Sequence, residues 1–267
     1  NGEIYNHAEL REVLGQHSWR GHSDTETLLA CIDAWGLVST LQRAVGMFAI
    51  ALWDRFERRL TLARDRVGEK PLFYGRVGTQ WVFASELKAI RCVPGFKGDV
   101  DREALAAYVA GGYVPAPRCI YEGVHKVVPG TIIELTTGTV GQPVPRHYWT
   151  LAEVVERGRV QPFQGDAFEA VDELERQLFA AVRGQMFADV PLGAFLSGGI
   201  DSSTVVALMQ QLSPGKVKTY TIGFDEDSCN EAHHARAVAA HLQTEHVEWT
   251  ARPEDALDIV PHLAEIY

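Results

Sequence analysis

The string Leu196-Ser197-Gly198-Gly199-Ile200-Asp201-Ser202-Ser203 constrains the fold more than any other part of the chain. It ends one apolar run, 190–196, and opens another with helical spacing, 202–212. Two adjacent glycines let a backbone turn tightly and bring its N–H groups close to an anion. A helix start at the same place adds free N–H donors and partial positive charge. Ser197, Ser202 and Ser203 add hydroxyls. A phosphate cradle between strand and helix is therefore expected, against the plainer reading of a serine-capped turn. Asp201 is out of place in a bare anion site. It fits one where a cation accompanies the anion, and Mg2+ on a pyrophosphate meets that need. The string is neither a Walker loop nor a dinucleotide fingerprint, because G-x-x-x-x-G-K-[ST] and G-x-G-x-x-G are both absent.

Around this loop the pattern alternates. Strands are expected over 190–196, 217–223 and 246–249, with helices over 202–212 and 230–242. Such alternation argues for a parallel sheet with crossover helices. A long helix with Val171, Leu174, Leu178 and Val182 at helical spacing comes before it. The front half differs. Short apolar or alternating runs at 45–53, 60–63, 72–74, 81–84, 120–124 and 131–135 predict consecutive strands. Ser23-Asp24-Thr25-Glu26 reads as a capping box opening a helix with Leu28, Leu29, Ile32 and Trp35 on one face. A second helix starts at Asp101 and stops at Gly111-Gly112. A Gly/Pro-rich turn region covers 137–145, and the polar stretch 151–165 is the best linker. Two domains of different class follow, 1–150 and 166–267, and 267 residues suffice for both.

The net charge of -10 opposes a nucleic-acid partner. No run approaches the roughly 20 apolar residues of a membrane span. Cys31, Cys92, Cys119 and Cys229 form no C-x-x-C pair, which suits a reducing, cytoplasmic chain without a zinc ribbon. His233, His234, His241 and His246 cluster in sequence, but without metal-ligand spacing they read as surface histidines. The chain begins Asn1-Gly2-Glu3, its first methionine is Met47, and its opening residues do not read as a signal peptide. A mature terminus or a cut fragment is expected.

The loop resembles the S-G-G-x-D-S loop of the N-type ATP pyrophosphatases. The resemblance implies that Ser197, Gly198, Gly199, Asp201 and Ser202 hold the pyrophosphate of ATP, with Mg2+ on Asp201. It also implies that the strand Tyr220-Thr221-Ile222-Gly223-Phe224 meets the adenine through its backbone, and that Leu196 and Ile222 flank the base. The plainer reading of both is buried strand residues, and both readings can hold at once.

The front half narrows the family. Asn1-Gly2-Glu3-Ile4-Tyr5-Asn6, Ser23-Asp24-Thr25-Glu26, Gly46-Met47-Phe48-Ala49, Arg64-Asp65-Arg66-Val67-Gly68-Glu69-Lys70-Pro71-Leu72 and Phe83-Ala84-Ser85-Glu86 come in that order. The series resembles the class II glutaminase domain of glutamine-hydrolysing asparagine synthetases. The implied fold is an α+β N-terminal-nucleophile (αββα) glutaminase domain, then an α/β parallel-sheet domain of the adenine-nucleotide α-hydrolase-like, ATP pyrophosphatase kind. By resemblance, Asn1 and Gly2 form the oxyanion hole, and Glu3 and Asp24 bind the amino end of glutamine. The plainer readings are a turn at Asn1-Gly2 and a helix-start charge at Asp24. Glu231 matches an acidic position of the family, with a helix-capping charge as the equal reading.

The family's nucleophile is an N-terminal cysteine whose own amine is the base. No cysteine lies near Asn1, and a carboxamide cannot replace it. The expectation is a fragment truncated in both domains, unable to hydrolyse glutamine alone. For the intact protein the resemblance implies two reactions: ammonia is released from glutamine, and an aspartate carboxylate is adenylated by ATP and then amidated. Glutamine, aspartate and ATP are the implied partners, and the oligomeric state stays open, a homodimer among the options. Two alternatives stand: an amidotransferase for another carboxylate, such as an acidic sugar of a surface polysaccharide, and a catalytically incomplete nucleotide-binding remnant.

Overall fold

A computed structural model describes residues 1–136, 141–188, 190–226 and 230–266. Cys229 and the start of the 137–145 turn region lie outside the described residues. The chain divides into two compact units, Asn1–Pro162 and Phe163–Tyr267. No helix among the described residues is long and apolar enough to cross a membrane.

The first unit runs β1 (Gly2–Ile4), α1 (His7–Leu14), α2 (Asp24–Trp35), α3 (Leu37–Arg43), β2 (Gly46–Asp54), β3 (Arg59–Arg64), β4 (Phe73–Val77), β5 (Gln80–Ala84), α4 (Leu87–Arg91), α5 (Arg102–Gly111), β6 (Val124–Lys126), β7 (Thr131–Thr136), β8 (Arg146–His147) and α6 (Leu151–Val160). One antiparallel sheet has the order β1-β2-β3-β7-β8 and the other β5-β4-β6. Period-two alternation sorts the larger sheet's side chains to two faces. Phe48, Ala63 and Ile132 pack with Leu10, Leu28, Cys31 and Leu41 of α1, α2 and α3. Ala49, Leu62 and Ile133 turn the other way, toward Tyr74 of the smaller sheet. The far side of the smaller sheet meets Ile90 and Leu87 of α4. The layers are thus helix, sheet, sheet, helix.

Several elements differ from the pattern in the sequence. The run 120–124 forms a strand only from Val124, because Gly123 takes φ +74° just before it. Tyr121 makes only a single bridge, to Val100. The expected linker carries α6, whose N-terminus is capped by the Thr150 hydroxyl accepting the Glu153 N–H at 3.2 Å. At Ser23 the capping box is half made. The Ser23 hydroxyl accepts the Thr25 N–H at 3.1 Å, while Glu26 turns back to the N–H groups of Arg20 and Gly21.

The second unit runs α7 (Ala167–Gln185), β9 (Gly193–Phe195), α8 (Ile200–Leu212), β10 (Lys218–Phe224), α9 (Ala232–Leu242), β11 (Glu245–Ala251), α10 (Pro253–Ile259), a 3-10 turn (Val260–His262) and α11 (Leu263–Ile266). The three strands form a parallel sheet in the order β11-β10-β9. The first is shorter than its apolar run suggests; Pro191, inside that run, has no N–H to give a ladder. Leu196, Val206, Ala235 and Ala239 form the core between the sheet and the helices α8 and α9. Phe195, Tyr220, Ile222, Phe224, Val247 and Trp249 are exposed, Phe195 at 75% and Trp249 at 54%. Along β10 they alternate with buried Thr219, Thr221 and Gly223, so the exposed set of that strand occupies the face away from the core.

Candidate functional site

In the first unit β1 pairs antiparallel with the start of β2, placing Gly2 opposite Phe48 and Glu3 opposite Met47. Asn1 extends the ladder: its carbonyl accepts the Ala49 N–H at 2.8 Å and its amino group donates to the Ala49 carbonyl at 3.2 Å. Antiparallel ladders alternate, so the N–H groups of Gly2 and Ile4 point away from β2. Ile4 donates to Asp24 Oδ2 at 2.9 Å. The Gly2 N–H faces the same side. Gly2 has φ +136°, and a Cβ there would lie 2.0 Å from the Met47 carbonyl oxygen. Across the ladder, a Cβ on Gly46 would lie 2.1 Å from the Glu3 carbonyl oxygen. Only glycine fits at either position. The Asn1 carboxamide donates to Ser85 Oγ at 3.1 Å, which joins motifs 84 residues apart.

Past Ala49, the edge of β2 has no partner strand on that side among the described residues. Ile50, Ala51 and Leu52, with Leu28, Leu29 and Ile32 of α2, wall a groove of about 280 Å³. Asn1, Gly2, Glu3, Asp24 and Thr25 are its polar lining. Apolar walls with a few convergent polar groups are the usual make-up of a small-molecule cleft. No cysteine lines it among the described residues; Cys31 and Cys119 are buried and Cys92 is exposed.

The Arg64–Leu72 motif stands behind the groove as a clamp. Asp65 is fully buried. Its carboxylate accepts the N–H groups of Gly68 at 2.6 Å, Glu69 and Lys70 at 2.9 Å, and Phe48 at 3.2 Å. Arg64 donates to the carbonyls of Lys70, Val127 and Gly68. Burial lowers the Arg64 pKa from its ordinary value, and the adjacent Asp65 opposes the shift. The Tyr148 hydroxyl, pushed far up by burial, stays protonated and donates to the Arg64 carbonyl at 2.8 Å. The motif's order in the sequence was legible; its clamp role was not, because every one of these bonds engages a backbone atom, whatever the residue type.

In the second unit the loop between β9 and α8 is compact. Gly198 has φ +81°, and a Cβ there would come within 2.6 Å of His234 Cβ and 2.7 Å of the Ala235 nitrogen. The loop therefore lies against the first turn of α9. The hydroxyls of Ser197 and Ser202 are 2.9 Å apart, and Ser197 Oγ accepts the Gly199 N–H at 3.3 Å. Gly199 is the N-cap of α8 and offers no side chain. The first helical bond runs from Ser203 N–H to the Gly199 carbonyl, so Ile200, Asp201 and Ser202 have N–H groups without a helical acceptor. Asp201 is exposed in this first turn.

The structure brings Ser197, Gly198, Gly199, Asp201 and Ser202 together. It puts the side chains of Leu196 and Ile222 on opposite faces of neighbouring strands. Leu196 is 2% exposed in the core against α8 and α9, and Ile222 is on the opposite face of the sheet. The Leu196 amide pairs with Tyr220, and its carbonyl accepts the Thr221 hydroxyl. Leu196 anchors the loop with its side chain packed into the core, the plainer of its two readings. Gly223 abuts Asn230 and Ala232, where a Cβ would lie 3.2 and 3.3 Å from their side chains. Glu231 makes no side-chain cap at α9; Asn230 Oδ1 accepts the Ala232 N–H instead. The ring centroids of His233 and His234 are 3.8 Å apart with the planes tilted by 41°, while His246 sits with Thr219. Among the described residues no group of three His, Cys, Asp or Glu gathers as a metal site. A lone carboxylate still suits Mg2+, which usually keeps waters and phosphate oxygens as its other ligands.

The glutamine amidotransferase domain family matches residues 1–149, and the asparagine synthase family matches residues 173–267. The chain belongs to the glutamine-hydrolysing asparagine synthetase family. It is 33% identical to asparagine synthetase [glutamine-hydrolyzing] 1 of Bacillus subtilis, covering 98% of this chain and 40% of that protein. It is 32% identical to a putative asparagine synthetase 2 of Methanocaldococcus jannaschii, covering 100% of this chain and 50% of that one. A putative asparagine synthetase of Mycobacterium tuberculosis is 34% identical, with 98% of this chain and 40% of that protein covered. The chain thus spans 40% to 50% of the length of these relatives.

Proposed function

We propose that the chain serves glutamine-dependent asparagine synthesis, with glutamine bound in the groove of the first unit and ATP at the loop of the second. The observation that carries the reading is the convergence of Asn1, Gly2 and Asp24 on one groove. A tetrahedral intermediate of amide hydrolysis needs donors aimed at its oxyanion. The Gly2 N–H, turned off the ladder, and the Asn1 carboxamide, oriented by Ser85, are such donors. Asp24 has one oxygen on the Ile4 N–H, and the other takes only a long 3.4 Å bond from the Thr25 hydroxyl, which leaves it acceptor capacity for a ligand. Glu3, exposed beside it, is the second carboxylate for an ammonium group. The groove holds no thiol among the described residues, so the 267-residue chain is expected to bind glutamine without hydrolysing it.

At the loop, the N–H groups of Ile200, Asp201 and Ser202 and the hydroxyls of Ser197 and Ser202 would hold the pyrophosphate of ATP. Asp201 would hold Mg2+, which supplies charge neutralisation to the departing pyrophosphate. Ile222, on the open face, and the Gly223 backbone would meet the base. Adenylation suits the task, because a free carboxylate is a poor electrophile and AMP is a good leaving group. In this reading residues 1–150 are the glutaminase domain and 166–267 the synthetase part, with aspartate as the ammonia acceptor.

Isothermal titration of the chain with L-glutamine and with ATP–Mg2+ tests the assignment. Asp24→Asn should weaken glutamine by at least about ten-fold and leave ATP unchanged, and Gly199→Val should do the converse. Equal affinities in the variants and the parent chain would overturn it. Steady glutamate release from material that begins at Asn1 would overturn the expectation of binding without hydrolysis.

A further inference from the structure

Arg11 is in none of the motifs and does not line the groove. It projects from α1, the helix that follows β1, and each guanidinium nitrogen has its own acceptor. Nε donates to Thr27 Oγ1 at 2.6 Å, one terminal nitrogen to the Gly21 carbonyl at 3.0 Å, and the other to the Ser23 carbonyl at 3.0 Å. The guanidinium also stacks over Trp19, 4.1 Å from the ring centroid, and lies 3.8 Å from Glu26. Glu26 in turn accepts the N–H groups of Arg20 at 2.7 Å and Gly21 at 2.9 Å. Every one of these partners lies in the segment that leads into α2 or in its first turn. Ser23 is the N-cap of α2 and Asp24 is the next residue.

We propose that Arg11 is a positioning residue for the glutamine site, fixing the Asp24 carboxylate on the Gly2 side of β1 while touching no ligand itself. This rests on the glutamine reading above. The physical case is one of degrees of freedom. The segment from Gly15 to Ser23 has no regular structure, and α2 could start over a range of positions. A planar fork with three separately engaged nitrogens sets both distance and angle between α1 and the start of α2. Ile4, whose N–H donates to Asp24, belongs to the strand just before α1. The loop thus closes on itself: β1, α1, Arg11, Ser23, Asp24 and back to β1. Lysine, with its donors on one nitrogen, cannot reach the three acceptors in their three directions.

The test is a binding cycle on the 267-residue chain with two ligands, L-glutamine and glutaramic acid, which lacks the α-amino group. Arg11→Gln should weaken glutamine by about ten-fold and change glutaramic acid less than about two-fold. Arg11→Gln with Asp24→Asn should bind glutamine no more weakly than Asp24→Asn alone. Equal weakening of both ligands would reduce Arg11 to a general structural role and overturn the proposal. So would unchanged glutamine affinity in Arg11→Gln, or losses that multiply in the double variant. If Arg11→Gln does not show a cooperative thermal transition, Arg11→Lys takes its place in the same cycle, with the same outcomes read. A parent chain that binds neither ligand, or Asp24→Asn with unaltered glutamine affinity, would instead remove the glutamine reading on which the proposal stands.

Discussion

The groove of the first unit and the loop of the second are assembled by opposite means. The groove depends on contacts between distant segments: Asn1 with Ser85, Ile4 with Asp24, and Gly2 against Met47. The loop is nearly all local, made by seven consecutive residues and one approach to His234. The groove is backed by a fully buried carboxylate and a sheet covered on both faces. The loop belongs to a parallel sheet with an exposed aromatic face, although parallel sheets are generally covered on both sides. A site made of long-range contacts should fail with its fold; one made of local contacts should fail alone.

The sharpest way to break this comparison is at the glycine pair. Gly2→Ala or Gly46→Ala places a methyl inside a carbonyl oxygen's radius, and backbone cannot move aside cheaply. The first unit should lose about 4 kcal/mol or more, read as an early urea transition together with loss of glutamine binding. A variant with an unchanged transition would show that β1 is dispensable to that unit. Next in size is Asp65→Asn. It replaces an acceptor for four N–H groups with a carboxamide that must turn its own N–H toward some of them. About 3 kcal/mol of stability should go. In the second unit, Gly198→Ala should cut ATP–Mg2+ affinity by about ten-fold, since φ +81° strains an L-residue by roughly 1–2 kcal/mol and the methyl meets His234. The urea transition of the first unit should not move.

Hydrogen exchange extends the same contrast: amides of β3 and β7 should outlast those of β11 by about ten-fold or more. Equal protection would erase the distinction. The smallest effect expected is at Glu248, held below the usual carboxylate range chiefly by hydrogen bonds from Arg236. A depressed carboxyl stabilises the fold above its unfolded pKa, and the benefit goes as pH falls through the folded value. The second unit should therefore soften slightly on acidification below the ordinary carboxylate range, and Glu248→Gln should remove that part of the pH response. The pair is exposed on the arginine side, so the amplitude is small.

The same division explains what the sequence disclosed. Ser197–Ser203 was legible because glycines, hydroxyls and a helix start act on their immediate neighbours. The parallel strands β10 and β11 were legible from alternation with helices, and α5 from Asp101, whose carboxylate does cap Glu103 and Ala104. Asn1 and Gly2 could be placed only by resemblance, because the pairing that turns Gly2 outward involves residues more than forty positions away. Leu196 stayed double for a physical reason. An apolar residue just before a loop reads equally as a wall or as core, and its burial against α8 and α9 comes from residues distant in sequence. Ser85 and Asp65 lie in motifs that the resemblance singled out, but their partners leave no periodic trace, and Arg11 lies in no motif at all.

Gly2 and Gly46 carry a consequence for how such a chain can change over generations. Each is blocked by the other strand's backbone rather than by a side chain, so no partner substitution can make room. In a saturation library screened for folding, these two positions should tolerate nothing else, singly or together. Drift would have to flow around them, through Leu28, Leu29, Ile32 and the other groove walls, where a changed side chain reshapes the cleft without prying the strands apart.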